Sequence, residues 1–106
     1  MVRMYLDDLR IPKKSFDVIV RSFDEAVLYV KQYGIPNFIS FDHDLGANKD
    51  GTILLSGYDF AKWLVIQDMD KVYTFPSNFT YNVHSANPVG KKNIESYLDG
   101  YFQHHK

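Results

Sequence analysis

Apolar residues follow two rhythms along this chain. Val2-Arg3-Met4-Tyr5-Leu6, Phe16-Asp17-Val18-Ile19-Val20-Arg21, Asn37-Phe38-Ile39-Ser40-Phe41 and Phe79-Thr80-Tyr81-Asn82-Val83 are short runs rich in β-branched and aromatic residues, and each predicts a strand. Between them the spacing becomes helical. Phe23, Ala26, Val27, Val30 and Tyr33 share a face after Ser22, and Glu25 stands three residues beyond that serine. This is a capping-box pattern, in which a hydroxyl and a carboxylate each satisfy an otherwise unpaired backbone N–H. Gly34 closes the helix. Ser56 and Asp59 repeat the pattern ahead of Phe60, Ala61, Trp63, Leu64 and Val65. Asn87 and Pro88 suit the cap and first position of a last helix with Ile94, Tyr97, Leu98, Tyr101 and Phe102 on its apolar face. Leu45–Leu55, with Gly46, Asn48, Asp50 and Gly51, predicts a loop, Lys71–Asn78 a connection, and His104 and His105 beside Lys106 a frayed tail.

The resulting order is β-β-α-β-α-β-α. Strands joined by helices favour parallel pairing, and right-handed crossovers leave few topologies. The expectation is one domain over residues 1–106. Its fold is a small three-layer, doubly wound, mainly parallel α/β sheet of about four strands, order 2-1-3-4, with helices covering the sheet.

Composition narrows the chemistry. The 8 Tyr, 8 Phe and 1 Trp within 45 % hydrophobic residues supply a core, which excludes disorder as the default. A net charge of −1 argues against an extended nucleic-acid surface. With no Cys, disulfides, thiolate metal sites and Cys nucleophiles are excluded. No apolar run suits a signal peptide at MVRMYLDDLR or a membrane span, so a cytoplasmic protein is expected.

Ionisable residues gather at three strand ends: Asp7-Asp8, Asp42-His43-Asp44 and His84-Ser85-Ala86-Asn87. In a parallel sheet these ends share one edge, where ligands of open α/β folds bind. Up to four carboxylates in one pocket raise one another's pKa, so that either a divalent cation neutralises them or some of them stay protonated. Oxygen ligands favour Mg²⁺ or Mn²⁺, with Asp7, Asp8 and Asp42 as ligands. His43 and His84 are candidates either for nitrogen ligands of such a cation or for proton carriers, with Asp42 or Asp44 orienting one imidazole. Ser85, Asn87, Arg10, Lys91 and the helix start at Pro88 are candidates for holding phosphate. Every one of these residues also has an ordinary structural role open to it. Asp7-Asp8 suits a turn, His43 a solvated loop, His84 a satisfied core position, Asn87 a cap and Lys91 a solvated face.

The segments Leu6-Asp7-Asp8-Leu9-Arg10-Ile11-Pro12, Ser40-Phe41-Asp42-His43-Asp44-Leu45-Gly46, Gly57-Tyr58-Asp59 with Trp63-Leu64, and His84-Ser85-Ala86-Asn87-Pro88 carry a resemblance. In this order they resemble the cyclic-phosphate processing receiver-like domain family over essentially the whole chain. The resemblance implies a receiver-like α/β fold and a role in processing cyclic phosphates on nucleotides or RNA ends. Response-regulator receivers are also similar: Asp7-Asp8, Asp42 and Ser85-Ala86 match their acidic pair, phospho-accepting Asp and Ser/Thr-Ala. The fifth strand and its Lys have no counterpart, and His43 and His84 are additions. Both departures argue against reversible aspartyl phosphorylation.

The expected function is a phosphoesterase acting on a cyclic phosphate or phosphodiester of a nucleotide or RNA end. His43 and His84 are its general acid and base. The alternatives are a non-catalytic module that sequesters a nucleotide second messenger, and a degenerate receiver that signals through protein contacts.

Overall fold

The computed structural model describes residues 1–47 and 50–105; Asn48, expected in the loop, lies outside them, as does Lys106. The elements are β1 (Arg3–Leu6), β2 (Val18–Val20), α1 (Phe23–Tyr33), β3 (Phe38–Phe41), α2 (Gly57–Met69), β4 (Thr80–Val83) and α3 (Pro88–His105). All pairings are parallel, in the order β2-β1-β3-β4. Leu6 pairs with Phe41, and Phe41 with Val83, so the chain leaves β1, β3 and β4 at one level.

Local chemistry sets the helix ends. Ser22 Oγ accepts from Glu25 N at 3.1 Å, while the Glu25 carboxylate takes the N–H of Arg21 at 2.9 Å rather than that of Ser22. At α2 the box is complete, with Ser56 N donating to Asp59 Oδ2 at 2.7 Å and Asp59 N to Ser56 Oγ at 3.2 Å. Asn87 Oδ1 caps α3 through Gly90 N at 3.0 Å. The tail expected to fray is helical through His105, whose ring lies 5.1 Å from that of Tyr101.

Period-two alternation divides the sheet into two faces. Met4, Leu6, Ile39, Phe41 and Val83 pack into one core with Ala26, Val30, Phe60, Leu64, Ile94 and Leu98 of the helices. Both helical crossovers step across the sheet in the same direction, and α2 packs against α1 and α3. Right-handed crossovers then put the three helices on one side. Arg3, Tyr5, Phe38, Ser40, Asn82 and His84 point to the other side. The third layer expected there is not a helix: among the described residues it consists of the β1–β2 connection. That connection, with Ile11, Pro12, Lys13, Lys14 and Phe16, walls a groove of about 730 Å³ on the sheet face.

Candidate functional site

The first residue after each of the three registered strands is Asp7, Asp42 or His84. One ligating atom from each lies within 4.8 Å of the others. Asp7 is only 1 % exposed. Its Oδ1 accepts from Leu9 N and Arg10 N, both at 2.9 Å, and so shapes the turn after β1. Its Oδ2 faces His84 Nε2 at 3.0 Å and Arg10 Nε at 3.2 Å. Burial alone would raise the Asp7 pKa. The N–H groups of Arg10 and Leu9, with His84 and the Arg10 guanidinium, outweigh it and hold the carboxyl below the usual range.

Asp42, 4 % exposed, behaves oppositely. Burial and then the charge of Asp7 push it up, against the opposing pull of Arg10, the His43 N–H at 2.8 Å and Ser85. Arg10 Nη2 stands 3.7 Å from Asp42 Oδ2, and Arg10 Nη1 donates to the His84 carbonyl at 3.2 Å. Arg21 Nη1 ties this turn down through the carbonyls of Asp7 and Arg10, at 3.0 and 2.7 Å.

One face and both nitrogens of the His84 ring are engaged. It stacks on Tyr5, with centroids 4.5 Å apart and planes 5° from parallel. Nε2 faces Asp7 and Nδ1 faces Ser40 Oγ at 2.7 Å. An ionised Asp7 makes Nε2 the protonated nitrogen, so Nδ1 accepts from the Ser40 hydroxyl. Asn82 Nδ2 in turn donates to Ser40 Oγ at 3.4 Å.

Asp7, Asp8, Arg10, Asp42, Asp44 and Ser85 line one cleft of about 310 Å³ at the strand ends. His43 is not brought to His84, which corrects the expectation of a shared acid–base pair. It is the second residue after β3 and turns to the helical face. There its ring lies 6.4 Å from Tyr58 of α2 and against Gly90 of α3, where a Cβ would sit 2.4 Å from Cγ. His43 Nδ1 pairs with Asp44 Oδ1 at 2.9 Å, and this bond, with help from Asn87, lowers the Asp44 pKa. Asn87 is occupied as a cap and with Asp44 Oδ2 at 3.4 Å. Ser85 Oγ accepts from Asn87 N at 3.1 Å. Lys91 is exposed on α3 and lines neither cleft nor groove.

Among the described residues, Asp7, Asp42 and His84 are the ones whose ligand atoms lie close enough together to hold a divalent cation; Asp8, expected with them, is not in that set. The Arg10 guanidinium stands beside the same oxygens, 3.2 Å from Asp7 Oδ2 and 3.7 Å from Asp42 Oδ2. Sequence reasoning missed Ser40, Tyr5 and Asn82. The available signal was parity, since each stands an even number of residues from Asp42, Asp7 or His84 along its strand.

A four-stranded parallel sheet with acidic residues at the ends of β1 and β3 and Ser-Ala after β4 defines a receiver-like α/β domain. The chain belongs to the cyclic-phosphate processing receiver domain family, whose model matches residues 2–100. Nothing among curated proteins or solved structures matches the chain. Among the described residues no helix is long and apolar enough to cross a membrane.

Proposed function

We propose that this protein is a phosphoesterase for a cyclic phosphate or phosphodiester of a nucleotide or RNA end. The observation that carries this reading is His84, held between Asp7 and Ser40 at a groove lined by Arg3, Arg10, Lys13 and Lys14. None of the described residues lining that groove is acidic. Four cations suit a phosphate, and an imidazole backed by a carboxylate suits proton transfer beside it. Tyr5, Phe16 and Phe38 give the groove flat apolar walls, with Arg3 laid 4.4 Å over Phe38, which suits a nucleobase. This reading gives the proton chemistry to His84, since His43 faces Tyr58 and Gly90 on the helical side.

The test is turnover of 2′,3′-cyclic mononucleotides and cyclic dinucleotides by the purified protein, with Mg²⁺, Mn²⁺ or a chelator. Phosphomonoester formation is expected, reduced on the order of 10²–10⁴-fold in His84→Ala. With Arg10 as internal counter-ion, a chelator is expected to leave the rate within about twofold. Turnover that survives His84→Ala unchanged removes the reading. A second reading, nucleotide sequestration without chemistry, is favoured by the engagement of both His84 nitrogens inside the protein. Calorimetric binding with the nucleotide recovered intact would establish it.

A further inference from the structure

With both ring nitrogens taken, His84 reaches a substrate only through one of its partners. Asp7 has both oxygens engaged within the protein and lines the acidic strand-end cleft, not the cationic groove. Ser40 remains. It is 4 % exposed as a residue, yet it lines the floor of the cationic groove. Its Oγ lies 2.7 Å from His84 Nδ1 and accepts from Asn82. Carboxylate, imidazole and hydroxyl therefore form one connected relay that ends at the groove, the arrangement that activates a serine.

We infer that Ser40 is the nucleophile of this site and forms a covalent phosphoserine diester with the substrate. This rests on the phosphoesterase reading. Ser40 Oγ attacks phosphorus and forms a P–Oγ bond, while its proton passes to His84 Nδ1 and Asp7 stabilises the imidazolium. The ester P–O bond of the substrate breaks, and the departing oxygen takes the proton from His84. Water then attacks the same phosphorus and gives a proton to His84. The P–Oγ bond breaks, Ser40 recovers its proton, and the phosphorylated product leaves. Arg10 and Arg3 face the groove and balance the charge on the phosphoryl oxygens.

An alkyl fluorophosphonate is the probe, since an activated serine displaces its fluoride and keeps the phosphonyl group. Intact-mass and peptide mapping of the wild-type protein are expected to show one adduct, on Ser40. It should form on the order of 10²-fold faster than in His84→Gln and be absent from Ser40→Ala. No adduct, or an adduct on another residue, overturns the inference in the wild-type protein alone, whatever the variants do. Cyclic-phosphate turnover by folded Ser40→Ala at the wild-type rate also overturns it, and leaves the phosphoesterase reading standing. An adduct on Ser40 without turnover of any cyclic phosphate supports the activated serine and removes the substrate assignment.

Discussion

Asp7 and Asp42 are neighbours across two registered strands, yet their surroundings shift their pKa values in opposite directions. Asp7 sits among donors, so its lowered pKa contributes stability that is present above the ordinary carboxylate range and lost as pH falls through it. Asp42 is buried beside that charge. Its raised pKa means a contribution present at low pH and lost as pH rises through the folded value. Asp42→Asn keeps an oxygen for the His43 N–H and removes the repulsion. It is expected to stabilise the protein by about 1 kcal/mol at pH 7, with the gain disappearing near pH 3. Asp7→Asn is expected to cost about 2–4 kcal/mol at pH 7, because it leaves Arg10 and His84 without their acceptor. Urea unfolding of both variants from pH 3 to 7 measures these opposite slopes.

At the level of elements, the caps were legible because Ser56-Asp59 and Asn87-Pro88 act on backbone groups a few residues away. The close approaches between elements were not. Gly57 N donates to the His43 carbonyl at 2.8 Å, and a Cβ on Gly57 would lie 1.8 Å from the Asp42 carbonyl oxygen. Gly57→Ala is therefore expected to push α2 off the β3 end and cost about 1–3 kcal/mol, read as a lower urea midpoint. Gly90 plays the same part for His43 against α3. A second buried contact joins α2 to α3: the Tyr101 hydroxyl donates to Asp68 Oδ2, while Asp68 Oδ1 accepts from Phe75 N at 2.9 Å. Burial, then Asp68, push the Tyr101 phenol up from 10.0 to about 12. A raised folded pKa gives stability that is full below the ordinary value and lost as pH climbs through the raised one. The stability difference between wild type and Tyr101→Phe is expected to shrink between pH 10 and pH 12, followed by urea melts.

For the molecule as a whole, placing all three helices on one side leaves a sheet face open. The net charge of −1 conceals a division of sign. Asp7, Asp8, Asp42 and Asp44 line the cleft at the strand ends, while Arg3, Arg10, Lys13 and Lys14 line the groove beside it. Arg10 belongs to both, so it links the acidic cluster to the cationic face. Replacing Lys13 and Lys14 by Glu is expected to weaken binding of a nucleotide phosphate about tenfold or more at low ionic strength. Because both lysines are exposed, the melting temperature should not move, and the loss should diminish in added salt. Calorimetry at two salt concentrations checks both statements.

The sequence by itself determined the element order, the parallel pairing, the helix caps and the gathering of acids and imidazoles at one sheet edge. Each of these follows from local periodicity, backbone hydrogen-bond needs and the handedness of crossovers. Tertiary structure alone decided which side each strand-end residue takes. Asp7, Asp42 and His84 leave their registered strands at the same step and meet, whereas His43 is one step further and faces the helices. It alone placed Ser40 beneath His84 and set Arg10 between two carboxylates. Those contacts depend on strand register and on residues up to 77 positions apart, and a rhythm of two or of 3.6 residues holds no information about either.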